Sequence, residues 1–317
     1  MRAILSGPTS NIKSKTHRLQ SRCNALQGHK YLPLTTTQTE QDMSCHQAIK
    51  DAREKAGLNK TQVAGEADIL LSNYIKYEGG QLDISSYIAG RICNALRVLE
   101  ADHDDILTAQ EACGYQNLGD PRVDKGAITW AQDQAKTIIE DDYPGSVAYL
   151  LDVASSILYV NSLGRKFFRG GDNPEQQPDF TGISMTRALF DKSRAVGQRG
   201  KRLTDFIKGE SERFLEVNTQ WYFNLSREYH KEAWFEELLA KWKDIYPDFA
   251  EYWGMAEKRK KSPITPMPAV ILTLLYEGTE LHFRVIDHVL RDKRFFLVLY
   301  LPAGDFTDEQ RVAFTEG

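Results

Sequence analysis

The sequence predicts an α+β protein with two folded parts, one wholly helical and one built on an antiparallel sheet. Three observations carry that prediction. Between Ser44 and Tyr115, apolar residues recur at helical spacing in five short runs separated by glycine or polar breaks. Over 147–160 and again over 269–301, the pattern changes to β-rich apolar runs joined by turn residues. Between them, about 182–258 returns to helical spacing. Residues 206–253 of that stretch hold 13 of the chain's 33 aromatics and four of its five tryptophans.

The length of 317 residues suits two domains. Apolar residues make up 41% and charged residues 26%, a globular balance. No run approaches the ~20 apolar residues that cross a bilayer, so no membrane partner is expected. The net charge of −4 argues against a general nucleic-acid coat, yet it is unevenly spread. Residues 1–40 carry six Lys/Arg and one acid, a net of +5. Residues 1–43 are too polar to offset the entropy of ordering them and read as a disordered basic tail, either a bland leader or an arm that touches phosphates. Cysteines stand at 23, 45, 93 and 113 with neither a zinc nor a redox spacing. All four are expected to be reduced thiols in a cytoplasmic protein.

Each helix of the first block has a visible beginning or end. In the first, Ile49, Ala52, Arg53 and Ala56 follow helical spacing and Gly57 stops it. Asn59 can cap the second, whose inner face is Val63, Ala64 and Ala67. After a turn at Asp68-Ile69, a third runs to about Tyr77 and ends at Gly79-Gly80. The fourth starts at Ser85-Ser86 with Ile88, Ile92 and Leu96 inward, and the fifth spans about Asp104 to Cys113 before Gly114. The run Gly-Leu-Asn-Lys-Thr-Gln-Val-Ala at 57–64 continues in register through Ile69, Tyr74, Glu78 and Gly80. It resembles the lambda-repressor/Cro-like (XRE) helix-turn-helix family over about 55 residues.

That resemblance implies a five-helix lambda-repressor-like bundle over 44–115 that binds double-stranded DNA. The second helix of the pair would lie in the major groove with Leu71, Ser72 and Asn73 towards base edges. Asn73 can donate and accept together, which suits adenine; Leu71 offers only an apolar contact, for example to a thymine methyl. Lys60 and Lys76 suit phosphates, and Thr61 belongs to the same DNA-facing set. Arg53 and Glu78 match the family's internal ion pair. Two departures stand out: Leu70 where the family has a capping Ser or Thr, and Asp68 in place of the turn Gly.

Residues 116–126 are polar with Gly and Pro and read as a linker. A helix over about 127–142 follows, broken by Tyr143-Pro144-Gly145, and then a hairpin over 147–160. Asn161 opens a short helix ending in Phe167-Phe168. This order resembles the start of a PAS-like sensor. With Thr186–Asp191 and Pro247–Trp253, it also resembles the MmyB-like ligand-binding domain, placed at 127–305 and followed by a C-terminal tail at 306–317. Three strands, about 269–277, 280–288 and 294–301, would complete the sheet around the helical insert. A sheet apolar on both faces must be covered twice, and one cover can be a ligand.

Tyr149, Leu151, Phe167, Phe206, Trp221, Phe223, Tyr229, Trp234 and Leu274 are the candidate lining of an apolar pocket. The MmyB-like resemblance implies a fatty-acid-like occupant, bound as a ligand and not as a cofactor. Arg284 is the candidate partner for its carboxylate, with Arg187 and Arg227 as alternatives. No phosphate loop, nucleophile elbow or His-Glu-x-x-His motif is present, so no enzyme, no catalytic residue and no metal site are expected. The expectation is a cytoplasmic, ligand-responsive, DNA-binding transcription regulator. It would act as a homodimer on a near-palindromic operator. The alternative is a ligand-sensing protein-interaction module with a degenerate helix-turn-helix head.

Overall fold

The first elements of the described chain are five short helices: α1 (Cys45–Lys55), α2 (Lys60–Glu66), α3 (Leu71–Glu78), α4 (Ser86–Val98) and α5 (His103–Ala112). A computed structural model describes residues 43–169, 181–191, 211–259, 271–276 and 279–303. The basic tail up to residue 42 and the C-terminal tail at 306–317 lie outside them. Local chemistry sets the helix ends. The Ser44 side chain caps α1, and Asn59 and Gln62 form a reciprocal capping box on α2. Ser85 caps α4 and Asp102 caps α5. Gly57, Gly80 and Gly114 take φ of 68°, 67° and 58° just past helix ends, where a side chain would be strained. Asp68, in the turn between α2 and α3, takes φ 49° without being glycine. Arg91 steadies it by donating to both its carbonyl and its carboxylate, at 2.5 and 2.7 Å. The inward faces meet in one core of Ile49, Val63, Tyr74, Ile92, Leu96 and Ile106 among alanines.

One sequence expectation fails in this bundle. Cys45 and Cys113 are not free thiols: they form a disulfide that ties the start of α1 to the end of α5. Their 68-residue separation hid the pair, because α1 and α5 meet only in the folded bundle. Cys93 is a free, buried thiol, and Cys23 lies outside the described residues.

Residues 116–124 are not a loose tether. Asn117, Pro121 and Asp124 are buried, and three Asx contacts shape the segment. Asn117 Oδ1 accepts from Gly119 N, Asp120 Oδ1 from Arg122 N, and Asp124 Oδ1 from Ala127 N. The same polar residues that suggest a linker here fix its turns. Asp124 caps α6 (Lys125–Asp141).

The sheet follows: β1 (Val147–Asp152) and β2 (Ile157–Val160) as a hairpin, then β3 (Ile271–Tyr276), β4 (Thr279–Val289) and β5 (Phe295–Pro302) as a meander. All neighbours are antiparallel, in the order β2-β1-β5-β4-β3. Between the hairpin and the meander come α7 (Ser162–Arg169), α8 (Met185–Phe190), α9 (Ser211–Leu225), α10 (Ala233–Ile245) and α11 (Pro247–Lys258).

Strand alternation divides the apolar residues between two covers. Ala148, Leu150, Phe295, Leu297 and Leu299 pack on α6 through Ala127, Ala131, Ala135 and Ile139. Val147, Tyr149, Leu151, Phe296, Val298 and Tyr300 face the aromatic insert helices, centred on Phe235, Phe249 and Trp253. Residues from Ser44 onward form one compact unit.

Asn161 locks the hairpin to α7. Its Oδ1 accepts from Ala148 N and Gly164 N, and its Nδ2 donates to Ser146 O, at 2.7–3.1 Å. Gly164 sits so close that an added Cβ would stand 2.7 Å from Val160 Cγ1 and 3.0 Å from the Ala148 carbonyl. Gly164→Ala therefore should cost about 2–3 kcal/mol in urea unfolding, as overpacking against backbone does. The positive-φ Gly145, which has nothing within 4 Å, should lose only about 1 kcal/mol as alanine.

Candidate functional site

The helix pair α2–α3 presents its second helix to solvent. Tyr74 and Glu78 face inward, while Ser72 and Lys76 are exposed and Asn73 is half-buried. Leu70, at the cap, makes no side-chain cap bond, so the departure from a capping Ser or Thr has a structural consequence. The exposed face is also apolar: Leu70 is 72% exposed, Leu71 40% and Ile75 45%. Leu71, Ser72, Asn73 and Lys76 thus come together on and around one surface, and Thr61 is exposed at the start of α2.

Glu78 closes α3 against the rest of the bundle. Arg53 Nε donates to its Oε1 at 2.5 Å, Nη2 reaches Oε2 at 3.3 Å, and Nη1 holds the Leu58 carbonyl at 2.8 Å. Lys60 Nζ lies 3.0 Å from Glu78 Oε2. Lys60 is therefore engaged by an internal carboxylate instead of standing free for a phosphate. Burial alone would raise the Glu78 carboxyl; the hydrogen bonds from Arg53 and Lys60 outweigh it and hold it below the usual range.

Of the expected pocket residues, Tyr149, Leu151, Phe223 and Tyr229 are buried in the aromatic cluster, with Trp221 and Trp234 packed against it. Phe206 and the side chains of Phe167 and Leu274 lie outside the described residues. Arg284 does not join the group. Leu281, Phe283 and Val285 point into the cluster, so Arg284 is exposed on the opposite face of β4. Arg187 is half-buried and pairs with Asp191 at 3.4 Å, and Arg227 is exposed. No group of three metal-ligating side chains occurs among the described residues.

Two features escaped sequence reasoning. The first is a buried charge network where the bundle meets the sheet. Arg294, 1% exposed, binds Asp292 at 2.7 Å and Asp124 at 2.9 Å. His103, at the start of α5, donates to Asp292 Oδ2 at 3.0 Å, and its ring lies 4.9 Å from that of Trp130. Arg97 Nε stands 2.8 Å from Asp124 Oδ2, an ionic contact off hydrogen-bond alignment. At the rim, Arg291 grips Glu111 and Thr108 on α5. The sequence reads Leu290–Lys293 as an ordinary turn; the available signal is an arginine directly before the apolar run Phe295–Leu299. Burial would raise the Asp292 carboxyl, but His103 and Arg294 hold it far below the usual carboxylate range.

The second is Asp152 at the end of β1. It is fully buried, with Oδ1 accepting from Ser156 N at 2.7 Å and Oδ2 without a hydrogen-bond partner among the described residues. Burial pushes its carboxyl up to about 7, against the opposing pull of the Ser156 bonds and the more distant Arg122 charge.

Compared with known families and with curated proteins, the chain matches none.

The two carboxylates should respond to pH in opposite senses. Asp292 titrates lower in the folded protein, so its stabilisation is complete above pH ~4 and is lost as the pH falls. Asp292→Asn should cost about 3 kcal/mol at pH 7 and flatten the acid limb of a stability profile measured by urea unfolding. Asp152 titrates higher, so stability is greatest below pH ~4 and declines as the pH rises to about 7. Asp152→Asn should gain, relative to the parent, about 3 kcal/mol between pH 4 and pH 8 in the same measurement.

Proposed function

We propose that the protein is a ligand-responsive, DNA-binding transcription regulator. The bundle over 44–115 would carry the lambda-repressor-like head, and the sheet with its helical insert a PAS-like, MmyB-type sensor. The observation that carries this reading is the helix pair. α3 offers Ser72 and the half-buried Asn73 in its first turn and the exposed Lys76 in its last, while its other side is locked by Glu78 to Arg53 on α1. A rigidly held helix with polar residues at its start can read bases in a major groove, and a lysine one turn on suits the phosphates beside it. Phosphate contacts fall to Lys76 and Thr61, since Lys60 is drawn to Glu78.

In this reading the protein acts as a cytoplasmic homodimer on a near-palindromic operator. A fatty-acid-like ligand biases the sensor, and the expectation of that ligand rests on the MmyB-like resemblance. Hairpin, α7, aromatic insert and three-stranded meander follow in the order the resemblance implies. The ligand would shift DNA affinity by binding one arrangement of the sensor better than another.

A second reading is a protein-interaction module that keeps the helix pair but grips a protein. The exposed Leu70, Leu71 and Ile75 favour it, because a protein partner would bury them.

Fluorescence anisotropy on duplex DNA from upstream of the gene separates the two. Under the regulator reading, Asn73→Ala should lose about 5- to 100-fold in affinity. Lys76→Ala should weaken binding to all sequences and reduce the salt slope by about one. Binding that is absent, or indifferent to both changes, favours the interaction module.

A further inference from the structure

We propose that Cys45 and Cys113 form a reversible thiol–disulfide exchange site whose state sets how firmly the start of α1, and with it the end of α3, is held. The bonded residues lie at opposite ends of the bundle's sequence, with Cα atoms 4.5 Å apart. Both residues are half-buried and not sealed in the core as Cys93 is. Cys45 is the first residue of α1 and Cys113 the cap of α5. A thiolate in the first turn of a helix is stabilised by the helix dipole, which makes Cys45 the better leaving sulfur. A thiolate of the glutathione class attacks Cys113 Sγ, the S–S bond breaks, and Cys45 departs as thiolate. A second external thiol then displaces Cys113 from the mixed disulfide. Two external thiols become one external disulfide, and their two electrons and two protons pass to the two cysteines.

Neighbouring contacts give the bond its consequence. His46, directly after Cys45, donates from Nδ1 to the carbonyl of Tyr77 at 2.8 Å, in the last turn of α3. Gly80 packs against the same imidazole, whose Cδ2 would lie 3.6 Å from a Cβ at that position. With the bond intact, the first turn of α1 cannot fray away from α5, and His46 stays on Tyr77. With it cut, that turn opens as an ordinary helix end. Cys93 is the internal control: burial pushes its thiol up to about 12, so it stays protonated and shielded.

The test uses the full chain and needs neither DNA nor a sensor ligand, so it stands or falls apart from the proposed function. Protein is equilibrated across stepped ratios of reduced to oxidised glutathione, alkylated, and mapped by mass spectrometry. Amide exchange is followed in the same samples. Cys45 and Cys113 should gain label together while Cys93 stays unlabelled. Amides of Gly79, Gly80 and Gln81 should exchange about tenfold faster in the reduced form. Cys45→Ser should exchange like the reduced parent; if it does not fold, the parent's two redox forms decide alone. Free Cys45 and Cys113 under oxidised glutathione, Cys23 bonded to either one, or equal exchange at 79–81 in both forms would overturn the proposal.

Discussion

A guanidinium buried as deeply as that of Arg294 is tolerable only because carboxylates surround it. Removing such a charge from water costs several kcal/mol, recovered through close, hydrogen-bonded partners. Asp292 supplies them from two residues away, and Asp124 from the cap of α6. Neither acid serves Arg294 alone. Asp292 also receives His103 from the bundle, and Asp124 lies against Arg97 from α4. The apolar cores of bundle and sheet are separate clusters, so this polar seam, with its Arg291 rim, is where the two parts are keyed together. Apolar contact alone would allow many docking angles. Charge pairs at hydrogen-bond distance favour one, because any other leaves a buried ion unpaired.

Glu78 plays the corresponding part inside the bundle. It is a buried carboxylate in the last turn of the exposed helix, held by a two-pronged arginine and a lysine. The arrangement fixes the pitch of α3 against α1 and uses up Lys60 as a surface cation. Asn73 and Lys76 thereby become the residues on which any polar recognition at this helix turns, and Leu70, Leu71 and Ile75 the apolar part of the same surface.

Local signals carried most of the legible fold. Gly57, Gly80 and Gly114 mark helix ends because only a residue without Cβ takes positive φ there freely, and that requirement shows in the sequence. The hairpin, the aromatic insert and the three-stranded meander are legible for the same reason: each periodicity lies within its own segment. Arg53 and Glu78 were reachable through the family resemblance, not from periodicity. Arg284 could have been placed by parity alone, since Leu281, Phe283 and Val285 claim the other face of β4. The disulfide and the Arg294 seam were not legible. Each joins residues far apart in sequence, so their pairing exists only once the elements pack. The polar residues 116–124 misled in a related way, because a loose linker and a segment of ordered Asx turns have the same composition.

These long-range ties have α5 in common. His103 at its start and Glu111 near its end bind the β4–β5 turn, and Cys113 at its cap is bonded to α1. From α1, His46 and Arg53 reach Tyr77 and Glu78 at the end of α3. A continuous set of contacts therefore runs from the sheet to the exposed helix, and each link is a charge pair, a hydrogen bond or a covalent bond. Contact continuity alone does not produce coupling; that requires an element with two discrete arrangements biased from both sides. The proposed thiol–disulfide pair has two such states, and it sits at the step where α5 hands over to α1. Under that proposal the bond sets how tightly motion of the β4–β5 turn is transmitted: intact, α5 carries α1 with it; cut, the start of α1 is free to lag behind.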